Sequence, residues 1–150
     1  MKHVRKSVLL WYSPREMYDL VTAIPEYPQF LPWCNTAQVL EKHKDGVTAC
    51  VGLSYMGVSQ AFTTRNHHLP GEKITLHLVD GPFSTLKGAW HFRPIGKRAS
   101  EKPACKIEFD LGYAFSSRAL GAVISPVFDR VAETLVESFV RRAEVVYGPR

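Results

Sequence analysis

The sequence predicts an α+β fold in which a curved antiparallel sheet grips one long helix. Three observations carry this. Between residues 35 and 114, apolar residues recur with the period of two that puts alternate side chains on opposite faces of a strand. Gly, Pro and Asp turn signals separate these segments, and residues 117–147 change to the 3.6-residue period of an amphipathic helix. With 150 residues, no internal repeat and no linker-like tract, the chain reads as a single domain, 1–150, able to bury a sizeable core.

Residues 3–11 form the first expected strand. Ser13-Pro14-Arg15-Glu16 then starts a short helix over about 14–22: Ser13 is the N-cap, Pro14 takes the first helical position and Glu16 closes a capping box. Tyr12 and Met17 stand where a hydrophobic staple would. The next segment runs from Ile24 to Cys34, and Pro25, Pro28 and Pro32 exclude a long regular helix there, because each lacks a backbone donor and restrains its neighbour. Tyr27, Phe30, Leu31 and Trp33 are too apolar for a loop that meets only water. A stiff aromatic lip of this kind either plugs one end of the sheet or gates a cavity.

Strands follow near 35–43, 47–56, 59–68, 73–80, 84–93 and 104–114, with turns at Lys44-Asp45-Gly46, Gly57, Leu69-Pro70-Gly71 and Gly81-Pro82 and a charged loop from Pro94 to Pro103. With the first strand they make seven, and their short connections suggest a meander. Cys105, Ile107, Phe109, Leu111 and Tyr113 point one way; Lys106, Glu108 and Asp110 point the other. Leu86, Gly88, Trp90 and Phe92 likewise oppose Lys87, His91 and Arg93, while Ile74, Leu76 and Leu78 oppose Thr75 and His77. One face is wet and the other needs a cover. The terminal helix supplies it through Leu120, Ile124, Val127, Phe128, Val131, Leu135, Phe139 and Val146, with Asp129, Glu133, Glu137 and Arg141 opposite. Pro126, preceded by Ser125, is expected to kink or restart this helix.

A composition of 45% hydrophobic and 22% charged residues is ordinary for a globular protein. No run approaches the roughly 20 apolar residues that cross a bilayer, and Val8 to Tyr12 is too short for a secretory signal. The chain is therefore read as starting at Met1 in the cytoplasm. Cys34, Cys50 and Cys105 form no C-x-x-C pair, which fits reduced thiols in that compartment. A net charge of +5 and a pI near 9.2 fit an anionic partner, either RNA or an anionic membrane surface touched peripherally.

Several motifs occur in order along nearly the whole chain: Glu26-Tyr27-Pro28-Gln29-Phe30-Leu31-Pro32-Trp33-Cys34, Phe62-Thr63-Thr64-Arg65-Asn66, Asp80-Gly81-Pro82-Phe83, Gly88-Ala89-Trp90-His91-Phe92, and Phe139 through Arg142-Ala143 to Tyr147-Gly148. Together they resemble the START-like, coenzyme Q-binding family of the polyketide cyclase superfamily, and within it the RatA-like ribosome-association toxin branch. The resemblance implies a helix-grip fold with a hydrophobic cavity. It also implies two roles: binding of ubiquinone or a related isoprenoid lipid in support of respiration, or binding of the large ribosomal subunit that blocks subunit joining. Ligand and ribosome follow from the resemblance alone, and no cofactor is required in either role.

The cavity and lip residues expected to meet a ligand are Tyr27, Phe30, Leu31, Trp33, Leu76, Trp90, Phe92, Phe109, Leu111, Tyr113, Phe128, Val131, Leu135 and Arg142. Lys97, Arg98 and Lys102 are the candidates for rRNA contact. Arg142 falls within the apolar stripe, so it either pairs with Asp19, Glu26 or another N-terminal carboxylate or meets a quinone oxygen or rRNA phosphate. His67 and His68 face opposite ways on a strand and cannot readily chelate one ion, so they are read as a surface hairpin end and no metal site is expected. Asp80 reads as a turn residue. Cyclase chemistry needs a positioned acid and base, for which Tyr55, Tyr113 and Asp80 are the only candidates. The reading is a non-catalytic domain that binds a hydrophobic ligand, ubiquinone or a related lipid, in the helix–sheet cavity, with association with the large ribosomal subunit as the alternative.

Overall fold

The computed structural model describes residues 1–96 and 102–150. In chain order the elements are β1 (Lys2–Leu10), α1 (Pro14–Thr22), a 3₁₀ segment (Ile24–Gln29), β2 (Cys34–His43), β3 (Gly46–Tyr55), β4 (Val58–Leu69), β5 (Lys73–Asp80), β6 (Phe83–Pro94), β7 (Cys105–Phe115) and α2 (Arg118–Tyr147). The strands form one sheet ordered β1-β7-β6-β5-β4-β3-β2, antiparallel throughout. The α+β helix-grip arrangement is therefore the architecture of the chain.

The meander runs only from β2 to β7. β1 lies beside β7, from Lys2 opposite Tyr113 to Leu10 opposite Cys105. It is kept from β2 because α1 and the 3₁₀ segment intervene and pack across the sheet, so the chain re-enters at the far edge. Register irregularities in β2, between β4 and β5, and at the start of β6 add the local twist that curves the sheet.

α1 begins as its sequence dictates. The Ser13 side chain accepts from the Glu16 amide, and the Ser13 amide donates to Glu16 Oε1 at 2.9 Å. Tyr12 and Met17 are both buried. α2 starts at the N-cap Ser117 and runs unbroken through Pro126 rather than restarting there. Ala122 and Pro126 are both exposed, so the carbonyl that loses its partner faces water.

The α2 stripe departs from expectation at two positions. Val146 is 48% exposed, because the inward row drifts through Ala143 to Tyr147, whose hydroxyl donates to the Glu16 carbonyl. Asp129 is half-buried rather than solvated, and it accepts from the Tyr113 hydroxyl and from Lys2, whose strand position faces inward. Burial alone would raise the Asp129 pKa, but hydrogen bonds from Lys2, Tyr113 and Ser125 outweigh it and hold the carboxyl below its ordinary value. The three cysteines are free thiols, and burial pushes Cys34 and Cys105 up to about 11.

Candidate functional site: an internal cavity beneath the lip

The inner sheet face and α2 do not meet everywhere. A cavity of about 100 Å³ lies between them, walled by β3 to β7, by α2 and by the 3₁₀ segment. Of the residues expected at a ligand, Tyr27, Trp33, Leu76, Trp90, Phe109, Leu111, Phe128, Val131 and Leu135 line it. The remaining five sit elsewhere. Leu31 is packed beneath the lip at 1% exposure, and Phe30 stands edge-on to Tyr27 and Phe139. Phe92 packs between Tyr18 and Trp90, and Tyr113 lies among Phe83, Phe128 and Asp129 at the far end.

Arg142 does not reach the cavity. Its Nη2 donates to Gln29 Oε1 at 3.1 Å, stands 3.8 Å from Glu26 Oε1, and its guanidinium lies 5.0 Å from the Phe30 ring centre. It clips α2 to the 3₁₀ segment, combining a weak ion pair with a cation–π contact. The Tyr27 hydroxyl donates to the Val21 carbonyl and is raised far above its ordinary pKa by burial, so the lip is anchored on both sides.

One wall departs from the sequence reading. β4 points Thr64, Asn66 and His68 inward, and all three line the cavity. Thr64 Oγ1 donates to Asn66 Oδ1 at 2.6 Å. His68 is therefore half-buried with its Nε2 enclosed, rather than a surface hairpin end: its ring stands edge-on to Tyr18, while His67 faces solvent 3.6 Å from Asp45. Burial, and secondarily the charge of Arg65, lowers the His68 pKa and keeps the ring neutral. His68 Nε2 and Trp33 Nε1 are buried at this cavity without a hydrogen-bond partner among the described residues. Leaving such a group unpaired costs about 1–3 kcal/mol, so a site retaining two of them has room for an occupant with polar atoms. Phe62 was the available signal, since it shares the phase of Thr64, Asn66 and His68 on one strand.

A second, open depression of about 270 Å³ is lined by Pro32, Tyr55, Arg130 and Arg141, and it shares Trp33 and Val131 with the cavity. Those two side chains are the partition between inside and outside. Among the described residues, none around the cavity pairs an acid with a base. Tyr113 donates to Asp129 and its pKa is pushed far up by burial and by that hydrogen bond; Tyr55 is 40% exposed, and Asp80 is exposed where β5 turns into Gly81. Among the described residues there is also no cluster of His, Cys, Asp or Glu fit for a metal ion. Lys102 is exposed beside Trp11 and Arg150, whereas Lys97 and Arg98 lie outside the described residues.

The family model for polyketide cyclase/dehydrase and lipid transport matches residues 10–140. This chain belongs to that family. The START-like identity of the fold is matched by a START superfamily protein from Mycobacterium smegmatis, with a TM-score of 0.78 at 18% identity over 96% of this chain and 98% of that one. The ribosome association toxin RatA of Vibrio cholerae is 40% identical over 148 residues, 99% of both chains. A mitochondrial coenzyme Q-binding protein, COQ10 homolog B of Xenopus laevis, is 28% identical over 145 residues, 95% of this chain and 58% of its own. The family frame thus places the lip, the cavity and α2 in one known architecture, and within it the toxin-named relatives match this chain more fully than the quinone-binding one. No helix among the described residues is long and apolar enough to cross a membrane.

Proposed function

We propose that this protein associates with the ribosome, engaging the large subunit and hindering its joining to the small one, without catalysing a reaction. The observation that carries the reading is full-length similarity, at 40% identity, to a protein named a ribosome association toxin. The cavity supports it indirectly. About 100 Å³ is less than the roughly 150 Å³ hole that takes a benzene ring, and far below the 300–1,000 Å³ of typical ligand pockets. A quinone head could approach the polar wall, but an isoprenoid tail has no room unless Trp33 moves away from Val131. The non-catalytic reading rests on Tyr113, Tyr55 and Asp80 failing to converge on that space.

Sedimentation with purified subunits tests it. The protein is expected to travel with large subunits and to lower the yield of joined ribosomes when small subunits are added. Absence of co-sedimentation at low salt with adequate magnesium overturns the reading.

The two unpartnered polar atoms favour a second reading, in which the cavity holds a hydrophobic ligand with a polar head, such as ubiquinone. Native mass spectrometry of protein from its own host would then show a retained small molecule. Ligand at about 100 times its dissociation constant would add roughly 2.7 kcal/mol of stability. No retained mass and no thermal shift with quinones or fatty acids removes this reading.

A further inference from the structure

We propose that the solvent face of the sheet, rather than a loop, is the docking surface, and that it seats the phosphate backbone of folded RNA; the proposal rests on the ribosome reading above. The register carries it. Arg65 on β4 stands opposite His77 on β5, His77 opposite Lys87 on β6, Lys87 opposite Gly112 on β7, and Gly112 opposite His3 on β1. One ladder row therefore crosses five strands carrying Arg, His, Lys, Gly and His. At Gly112 a side chain would meet the His3 ring at 3.2 Å, so the glycine leaves space that this ring occupies.

The neighbouring rows continue the pattern. Lys73 stands opposite His91, and Arg93 opposite Lys106. Three acids on or beside this face are engaged: Asp110 with Arg5 at 2.9 Å, Glu108 with Arg93 at 2.5 Å, and Asp45 with Arg65 at 2.6 Å. The exposed Glu72 and Asp80 have no ion pair among the described residues. Lys73, Lys87 and Lys106 have no ion pair among the described residues.

Arg93 and Lys106 are the directly opposed like charges on this face, an arrangement that does not help a sheet, and Glu108 offsets it through its ion pair with Arg93. Strands about 4.8 Å apart set Arg65, His77, Lys87 and His3 at regular steps across a broad surface, whose cations and ring N–H donors suit a phosphate chain. The row itself is flanked by Thr75, Ala89 and Ser7 and carries no large apolar side chain, although the exposed Leu9 and Leu69 stand on the same face opposite Lys106 and Lys73. The exposed Tyr55 and Met56 lie away from the row, at the β3–β4 hairpin tip.

The test is binding to purified large subunits, and to their extracted RNA, over a salt series. The double variant Lys73→Glu/Lys87→Glu is compared with the wild type and with Arg130→Glu/Arg141→Glu on α2. Each phosphate contact contributes about 0.7–0.9 to the slope of log affinity against log salt. The sheet variant is expected to lose about 1.4–1.8 of that slope and to bind more weakly at every salt, with its melting temperature unchanged. The α2 variant is expected to match the wild type. If subunits bind but the sheet variant binds as well as the wild type, the surface is wrong while the ribosome reading stands. If nothing binds the subunits but the extracted RNA binds through these lysines, the reading fails and the RNA surface survives. Loss of binding to anionic phospholipid vesicles, with RNA binding unchanged, overturns the proposal in favour of a membrane surface.

Discussion

On β6 and β7 the inward row is Trp90, Phe92, Phe109 and Leu111, whereas on β4 it is Phe62, Thr64, Asn66 and His68. Both rows face the same helix and both reach the cavity, but the first fills its side with large packed rings while the second leaves short and polar side chains there. Trp90 lies 4.4 Å from Phe109 and 5.4 Å from Phe139 between ring centres, and Tyr113 lies 4.8 Å from Phe128. Opposite, Ala49, Val51 and Thr64 are too short to reach α2. The space exists because one half of the sheet keeps small and polar side chains where the other carries rings, and the packed half holds the fold while the open half remains available to an occupant.

The largest expected effect breaks the packed half. Trp90→Ala removes the ring that joins β6, β7 and α2 and should cost about 3–5 kcal/mol, read from urea or thermal unfolding. A loss below about 1 kcal/mol would mean that the two halves do not differ in kind.

The open half should respond with the opposite sign. His68→Leu replaces a partnerless buried nitrogen by an apolar group and is expected to stabilise by about 1–3 kcal/mol, the cost of an unsatisfied buried polar atom. Trp33→Phe should be close to neutral, because relief of its orphaned N–H offsets the smaller ring. If His68→Leu destabilises the protein as Trp90→Ala does, the polar wall is structural and the cavity loses its standing as a site. The same variant should bind any polar-headed cavity ligand more weakly while gaining stability, a split that a purely structural role does not produce.

What could be read without coordinates follows the same division. β6, β7 and α2 are legible because large apolar residues alternate with charges at a single period. The inner row of β4 is not, since hydropathy equates polar with wet and so assigns Thr64, Asn66 and His68 to solvent; only the phase of Phe62 says otherwise. The pairing of β1 with β7 was hidden because short connections favour neighbours, and nothing local shows that α1 and the lip carry the chain across the sheet. The aromatic lip is legible as a segment, but its residues divide by role: Tyr27 and Trp33 face the cavity, Leu31 and Phe30 support them, and Arg142 fastens the assembly from α2. The basic row on the solvent face needs the register of five strands, because Arg65, His77, Lys87 and His3 are far apart in sequence.

The smallest expected effect is a pH dependence that separates His68 from the other histidines. Burial is the main cause of its lowered pKa, with the Arg65 charge second, so the native state disfavours protonation relative to the unfolded chain, where the ordinary value is 6.5. Between the lowered native value and 6.5 the unfolded state holds more protons at this position, so stability falls as pH drops through that window. Above 6.5 both states are neutral and the contribution is flat. Urea midpoints of the wild type should therefore decline on acidification below about pH 6.5, and His68→Leu should decline less. His67→Leu, on the solvent side of the same strand and near Asp45, should leave that difference in place. Equal acid sensitivity in the wild type and His68→Leu would show that His68 is not held neutral by the cavity, and would remove the electrostatic distinction between the open half of the sheet and its wet face.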